Sequence, residues 1–156
     1  VEKLQPCLLD RLTDDDPKNS QESRMQRVIS LQRYRQGVLR DLQWLFNASA
    51  HLAHEGDHEF SLLDFPEAVR SVINFGTRHL FGVMTPNMRE LERQLVQAIY
   101  VFEPRILPNS LKINSRIEGN MIALEVQAEL WASPLPEQLH IKTKLDIETG
   151  HCSIGG

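Results

Sequence analysis

The apolar residues of this chain change their spacing after Pro108. Before it they recur every three or four positions, the period of a helix with one buried face. After it they alternate with polar residues, the period of a strand with one wet face. A chain that separates the two periods in this way predicts an α+β fold. Its N-terminal helices pack on a C-terminal antiparallel β-sheet.

On the helical side, Leu31, Tyr34, Val38, Leu42, Leu45 and Phe46 predict a helix over residues 30–48. Ser30 is its N-cap. Gly37 within it permits a close helix contact. Asp64 and Pro66 open a second helix, with Val69, Val72 and Ile73 as its apolar stripe and Gly76 as its stop. Thr85 and Pro86 repeat the start signal for a third, carrying Met88, Leu91, Leu95, Ala98, Ile99 and Phe102. Upstream, Leu8, Leu9 and Leu12 share one face of a short turn, and Asp14-Asp15-Asp16-Pro17 ends it. Residues 1–29 therefore read as an amphipathic segment and linker, and residues 30–156 as a single domain. The leucine turn either packs on its own domain or docks on a partner.

On the strand side, Leu111, Ile113 and Ile117 alternate with Lys112, Asn114 and Arg116. Glu118-Gly119-Asn120 marks a tight turn. Ile122 to Leu130 and Leu139 to Ile147 follow with the same alternation, Pro134-Leu135-Pro136 falls between them, and Cys152-Ser153-Ile154 is a last short strand.

Composition narrows the function. A net charge of −4 over 156 residues argues against binding nucleic acid through bulk charge, although arginines cluster between Arg24 and Arg40. No apolar run reaches the length of a spanning helix, and Val1 to Pro6 lack the apolar core of a signal peptide. The expectation is a cytoplasmic protein without membrane insertion. Cys7 and Cys152 leave a disulfide open but do not suggest a disulfide scaffold.

Few groupings carry chemistry. His51, His54 and His58 stand at i, i+3 and i+7, a spacing that would gather three zinc ligands on a continuous helix. Gly56 and Asp57 argue against that helix, so no metal and no cofactor is expected. Glu103, Asp146 and Glu148 are the carboxylates available for glycoside hydrolysis. That chemistry needs one carboxyl with a raised pKa, and Arg105 beside Glu103 works the other way. No catalytic residue is assigned.

The third helix ends at Phe102-Glu103-Pro104-Arg105. Proline stops a helix and fixes the corner, so Glu103 and Arg105 are held in set positions. Such a pair either closes on itself within the domain or offers an acceptor and a donor to a partner. An exposed edge of the sheet is a second mode of binding, by strand addition.

Five stretches occur in this order: Leu8-Leu9-Asp10-Arg11-Leu12, Val38 through Asn47, Ser71 through Gly76, Ala98 through Arg105, and Leu145 through Gly150. Together they resemble TssE, a family of baseplate subunits of the bacterial type VI secretion system. That family is similar to the wedge protein of contractile phage tails called lysozyme-like (the gene 25 family). The resemblance implies a structural protein that initiates the contractile sheath, in a cytoplasmic baseplate docked at the inner membrane. It implies that Glu103, Pro104 and Arg105 contact the wedge core formed by TssF and TssG, within an assembly that includes TssK. It also implies that strands around 138–154 extend the strand pairing of the sheath proteins TssB and TssC. It implies no hydrolase activity; a lysozyme-like peptidoglycan hydrolase is the rival reading. On the docking reading, Arg105→Ala weakens association while the monomer stays folded.

Overall fold

The computed structural model describes residue 4 and residues 7–13, 29–50, 64–77, 80, 87–132 and 135–155. The helices are α1 (Leu8–Leu12), α2 (Leu31–Asn47), α3 (Pro66–Val69) and α4 (Met88–Phe102). The strands are β1 (Lys112–Glu118), β2 (Met121–Leu130), β3 (Glu137–Asp146) and β4 (Cys152–Gly155). The strands form one antiparallel sheet in the order β1-β2-β3-β4, so each pairs with its neighbour in sequence. The α+β expectation holds.

Helix α2 forms where its pattern places it. The Ser30 hydroxyl accepts the Arg33 N–H at 3.2 Å and caps the first turn. Tyr34, Val38, Leu42, Leu45 and Phe46 are buried at successive turns, whereas Leu31 and Trp44 are exposed. Helix α4 buries Leu91, Leu95 and Ile99. Its cap is Asn87, whose side chain accepts the Glu90 N–H at 3.4 Å. Thr85 and Pro86, the expected start, lie outside the described residues, as do the three histidines of 51–58.

The expected second helix is cut to one turn. Pro66 occupies its first position, but the residue before it, Phe65, makes no side-chain cap. The Ser71 hydroxyl donates to the Ala68 carbonyl at 2.8 Å and accepts the Ile73 N–H, giving the backbone an alternative to a continuing helix. A short 3-10 turn over Val72–Asn74 comes next. Val72 is 84% and Ile73 65% exposed, so they form no buried stripe. Gly76 does not stop that helix. It crosses the C-terminal end of α2 with φ at 131°, where an added Cβ would lie 2.3 Å from the Ala48 carbonyl oxygen.

The sheet obeys its alternation. Gly119 and Asn120 join β1 to β2 in a two-residue turn, with Gly119 at φ 63°. Ile122, Leu124, Val126, Ala128 and Leu130 of β2 and Leu139, Ile141 and Leu145 of β3 are buried on one face. Helix α4 packs against β1 and α2 against β4, covering that face. Ile117 shares its alternation but is 57% exposed at the hairpin end. The two cysteines are free thiols, Cys152 buried and Cys7 partly so.

Candidate functional site: the corner at the end of α4

Helix α4 ends by geometry set at Glu103. Its N–H still donates to the Ile99 carbonyl at 2.8 Å, but its backbone has left the helix. The Glu103 carbonyl then accepts the Ile106 N–H at 3.2 Å, closing a turn with Pro104 and Arg105 at its tip. The turn is stitched to the sheet. Leu107 N–H donates to the Glu129 carbonyl at 2.8 Å, and Trp131 N–H to the Arg105 carbonyl at 2.7 Å. Pro104 is exposed at the apex, and Trp131 beside it is 57% exposed.

The side chains of Glu103 and Arg105 turn toward each other. Arg105 Nε donates to Glu103 Oε1 at 2.6 Å and Nη2 to Oε2, a bidentate pair. The Arg105 backbone N–H adds a third bond to Oε1 at 3.2 Å. Glu103 is only 3% exposed. Arg105 Nη2 also reaches Asp41 Oδ2, so the guanidinium bridges the corner to α2. The pairing within the chain, one of the two sequence readings, is present.

Asp41 extends the chain of charges. Arg40 Nε donates to Asp41 Oδ1 at 2.9 Å, and Arg40 Nη1 donates to Asp10 Oδ1 on α1. The Cys7 thiol donates to Asp10 Oδ2 at 3.0 Å. Five charges thus alternate in sign from Asp10 through Arg40, Asp41 and Arg105 to Glu103. Gly37, one turn before Asp41, keeps the space open: its added Cβ would meet Asp10 Oδ2 at 3.4 Å and Arg105 Nη1 at 3.6 Å.

The electrostatics reflect the contacts. Burial disfavours the Arg105 charge, but Glu103 and then Asp41 outweigh it and raise the guanidinium pKa. Arg40 is raised chiefly by its bond to Asp41, against burial, with Asp10 adding to it. Burial pushes Asp10 up, but the Cys7 thiol and Arg40 pull it further down, leaving it below the ordinary carboxylate range. Burial, with a small contribution from Glu103, pushes the nearby Tyr34 phenol up although Arg105 opposes it.

Sequence reasoning placed the Glu-Pro-Arg corner but missed Asp41, Arg40 and Asp10. Asp41 is separated from Arg105 by 64 positions, and only its place one turn beyond Gly37 on α2 hints at the contact. Trp131 was also missed, since its neighbour is reached through the fold. The carboxylates considered for hydrolysis are not brought together. Both Glu103 oxygens are engaged by Arg105, while Asp146 Oδ1 accepts the Glu148 and Thr149 N–H groups within a turn. A concavity of about 560 Å3 lies elsewhere, on the outer face of the sheet over Ala123, between Arg116, Glu125, Lys142 and Lys144. Among the described residues no group of histidine, cysteine and carboxylate side chains is arranged to hold a metal.

The family model for the baseplate wedge protein gp25 matches residues 32–135, from the first turn of α2 to the approach to β3. The chain belongs to the gp25 family of baseplate wedge proteins. The match takes in the whole corner and its α2 partner Asp41. Wedge proteins are structural parts of phage-tail-like baseplates and assemble with other baseplate and tail components. Comparisons with curated proteins and with solved structures each gave no match. Among the described residues of this wedge protein, no helix is long and apolar enough to cross a membrane.

Proposed function

We propose that this wedge protein is the TssE-type subunit of a type VI secretion baseplate. Residues 30–156 act as one wedge domain, with residues 1–29 as its N-terminal segment. The corner Glu103-Pro104-Arg105 docks on the helical core formed by TssF and TssG, in an assembly with TssK. The C-terminal strands pair with the sheath proteins TssB and TssC and start the sheath. The protein works as a structural part, without catalysis, in the cytoplasm on a baseplate docked at the inner membrane.

The observation that carries this reading is the family match across an already rigid corner. Its charges are paired before any partner arrives, so docking need not order them. Binding by a preorganised surface avoids the entropy cost of fixing rotamers, about 0.5–1.5 kcal/mol per mobile side chain. The accessible parts are Pro104, Trp131 and the outer side of the guanidinium. Exposed aromatics beside a rigid turn are the kind of residue that anchors a protein interface.

Pro104→Glu tests the reading, because it alters the exposed apex and leaves the charge network in place. The expected result is loss of co-purification with TssF and TssG at an unchanged melting temperature. Full recovery of both partners by the folded variant would contradict docking through this corner.

A further inference from the structure

Nε and Nη2 of Arg105 are taken up by Glu103 and Asp41, whereas Nη1 makes no hydrogen bond among the described residues. Nη1 lies over Gly37 of α2, where an added Cβ would meet it at 3.6 Å. The same Cβ would meet Asp10 Oδ2 of α1 at 3.4 Å. The donor edge that the corner has left to give therefore lies beside a carboxylate of its own chain.

Helix α1 is held there by its polar side. Cys7 and Asp10, three positions apart, face α2 together. Asp10 Oδ1 accepts Arg40 Nη1, and the Cys7 sulfur accepts Arg40 Nη2 at 3.5 Å. Leu8 and Leu12 lie on the solvent side and are exposed. Burial of these leucines thus does little to keep α1 in place. Its five residues also fall far short of the roughly 12–15 at which a helix begins to stand alone. The apolar anchor is upstream: Leu4 packs partly buried against the core, and its carbonyl accepts the Ile29 N–H at 3.2 Å. An element with few buried apolar contacts is where local opening starts.

Departure of α1 would uncover two guanidinium groups. Arg40 Nη1 loses Asp10 while Arg40 Nε keeps Asp41, and Arg105 Nη1 loses the carboxylate beside it. Asp41, bonded to both arginines, still holds them around the space above Gly37. With Asp10 in place, three carboxylates (Asp10, Asp41, Glu103) stand against two guanidinium groups. A further carboxylate is repelled by that excess and enters only in exchange for Asp10.

We propose that α1 is a displaceable cover over the docking corner, and that a carboxylate side chain of the wedge core takes the place of Asp10 between Arg40 and Arg105. Helix α1 is then an autoinhibitory contact that keeps the guanidinium edge closed until the partner exchanges for it. This cover rests on the docking reading above. It adds the acidic chemistry of the partner's contact and the element that regulates access.

Asp10→Ala in the full chain is compared with the unaltered protein for affinity to purified TssF–TssG complex. The variant is expected to bind about fivefold more tightly, because a closed fraction no longer lowers the apparent affinity. Adding Arg40→Gln to Asp10→Ala is expected to undo the gain, and a gain that persists would overturn the carboxylate exchange. Equal or weaker binding by folded Asp10→Ala would overturn the cover. Hydrogen exchange of residues 7–13 in the unaltered protein gives a second reading: it is expected to speed up severalfold on binding. Slower exchange there would mean that α1 stays and joins the interface, which overturns displacement. Pro104→Glu separates the two readings. Binding lost in Pro104→Glu but unchanged in Asp10→Ala would leave docking standing and remove the cover. Full binding by Pro104→Glu would overturn the docking reading and the cover together.

Discussion

Arg105 shows how a residue chosen for a partner is also a residue of the fold. Its guanidinium is shared between Glu103, which is 3% exposed, and Asp41 on α2. Removing it strands a buried carboxylate, and breaking such a pair costs about 3–5 kcal/mol. Arg105→Ala is therefore expected to lower the stability of the isolated protein by about 3 kcal/mol, the low end because the guanidinium edge still meets water. Urea unfolding of the monomer measures it; a loss under about 0.5 kcal/mol would mean the pair is solvated. The sequence expectation is that the monomer stays folded after this substitution, and the contact with Asp41 adds a stability cost to it. The Glu103 and Arg105 pairing was legible because two charges flank one proline. Asp41 was not, because a contact between distant positions leaves no spacing to read. Asp10 and Arg40 escaped notice for the same reason.

Among the elements, legibility depends on how strongly local and tertiary preferences agree. In α2 a serine cap and a continuous apolar stripe both point to one helix, and its described bounds fall within one residue of those expected. Across residues 66–76 they conflict. The proline starts a helix, but Ser71 bonds its own backbone and the apolar pair Val72 and Ile73 finds no core to cover. Helix α1 is a third case. Its leucines left packing on the domain and docking on a partner both open; Leu8 and Leu12 are 70% and 74% exposed, and polar contacts from Asp10 and Cys7 to Arg40 tie the helix to α2. Those contacts carry a pH dependence. The Asp10 carboxyl is held below its ordinary value of 3.8 in the folded protein. Its stabilising effect is therefore complete above that value and is lost as pH falls through the lower, folded one. Leucine methyl NMR signals of α1 are expected to stay constant near neutrality and shift below about pH 4. Asp10→Asn should abolish that acid transition; an unchanged transition would place the titrating group elsewhere.

At the scale of the whole molecule, the change of period after Pro108 was enough to give the class of fold. Strict alternation allows only one face of each strand to be buried, and two helices supply the cover. The order of strands comes from short connections, since each strand pairs with the next. The way the two ends of the sheet are closed was not legible. Asn47 and Glu92 are polar residues on helices, and their meeting with Cys152 and Ser115 exists only once helix and sheet are packed. The same packing brings Trp131 to the corner through its bond to the Arg105 carbonyl. The molecule thus presents a rigid corner at the end of α4, held by Glu103, Arg105 and Asp41. The corner's role is tested most directly by placing a photo-cross-linking amino acid at position 104 in cells that assemble the baseplate. Covalent products with TssF or TssG are the predicted result. Cross-linking that misses both, while the same probe at Lys144 on the outer sheet face captures them, would contradict it.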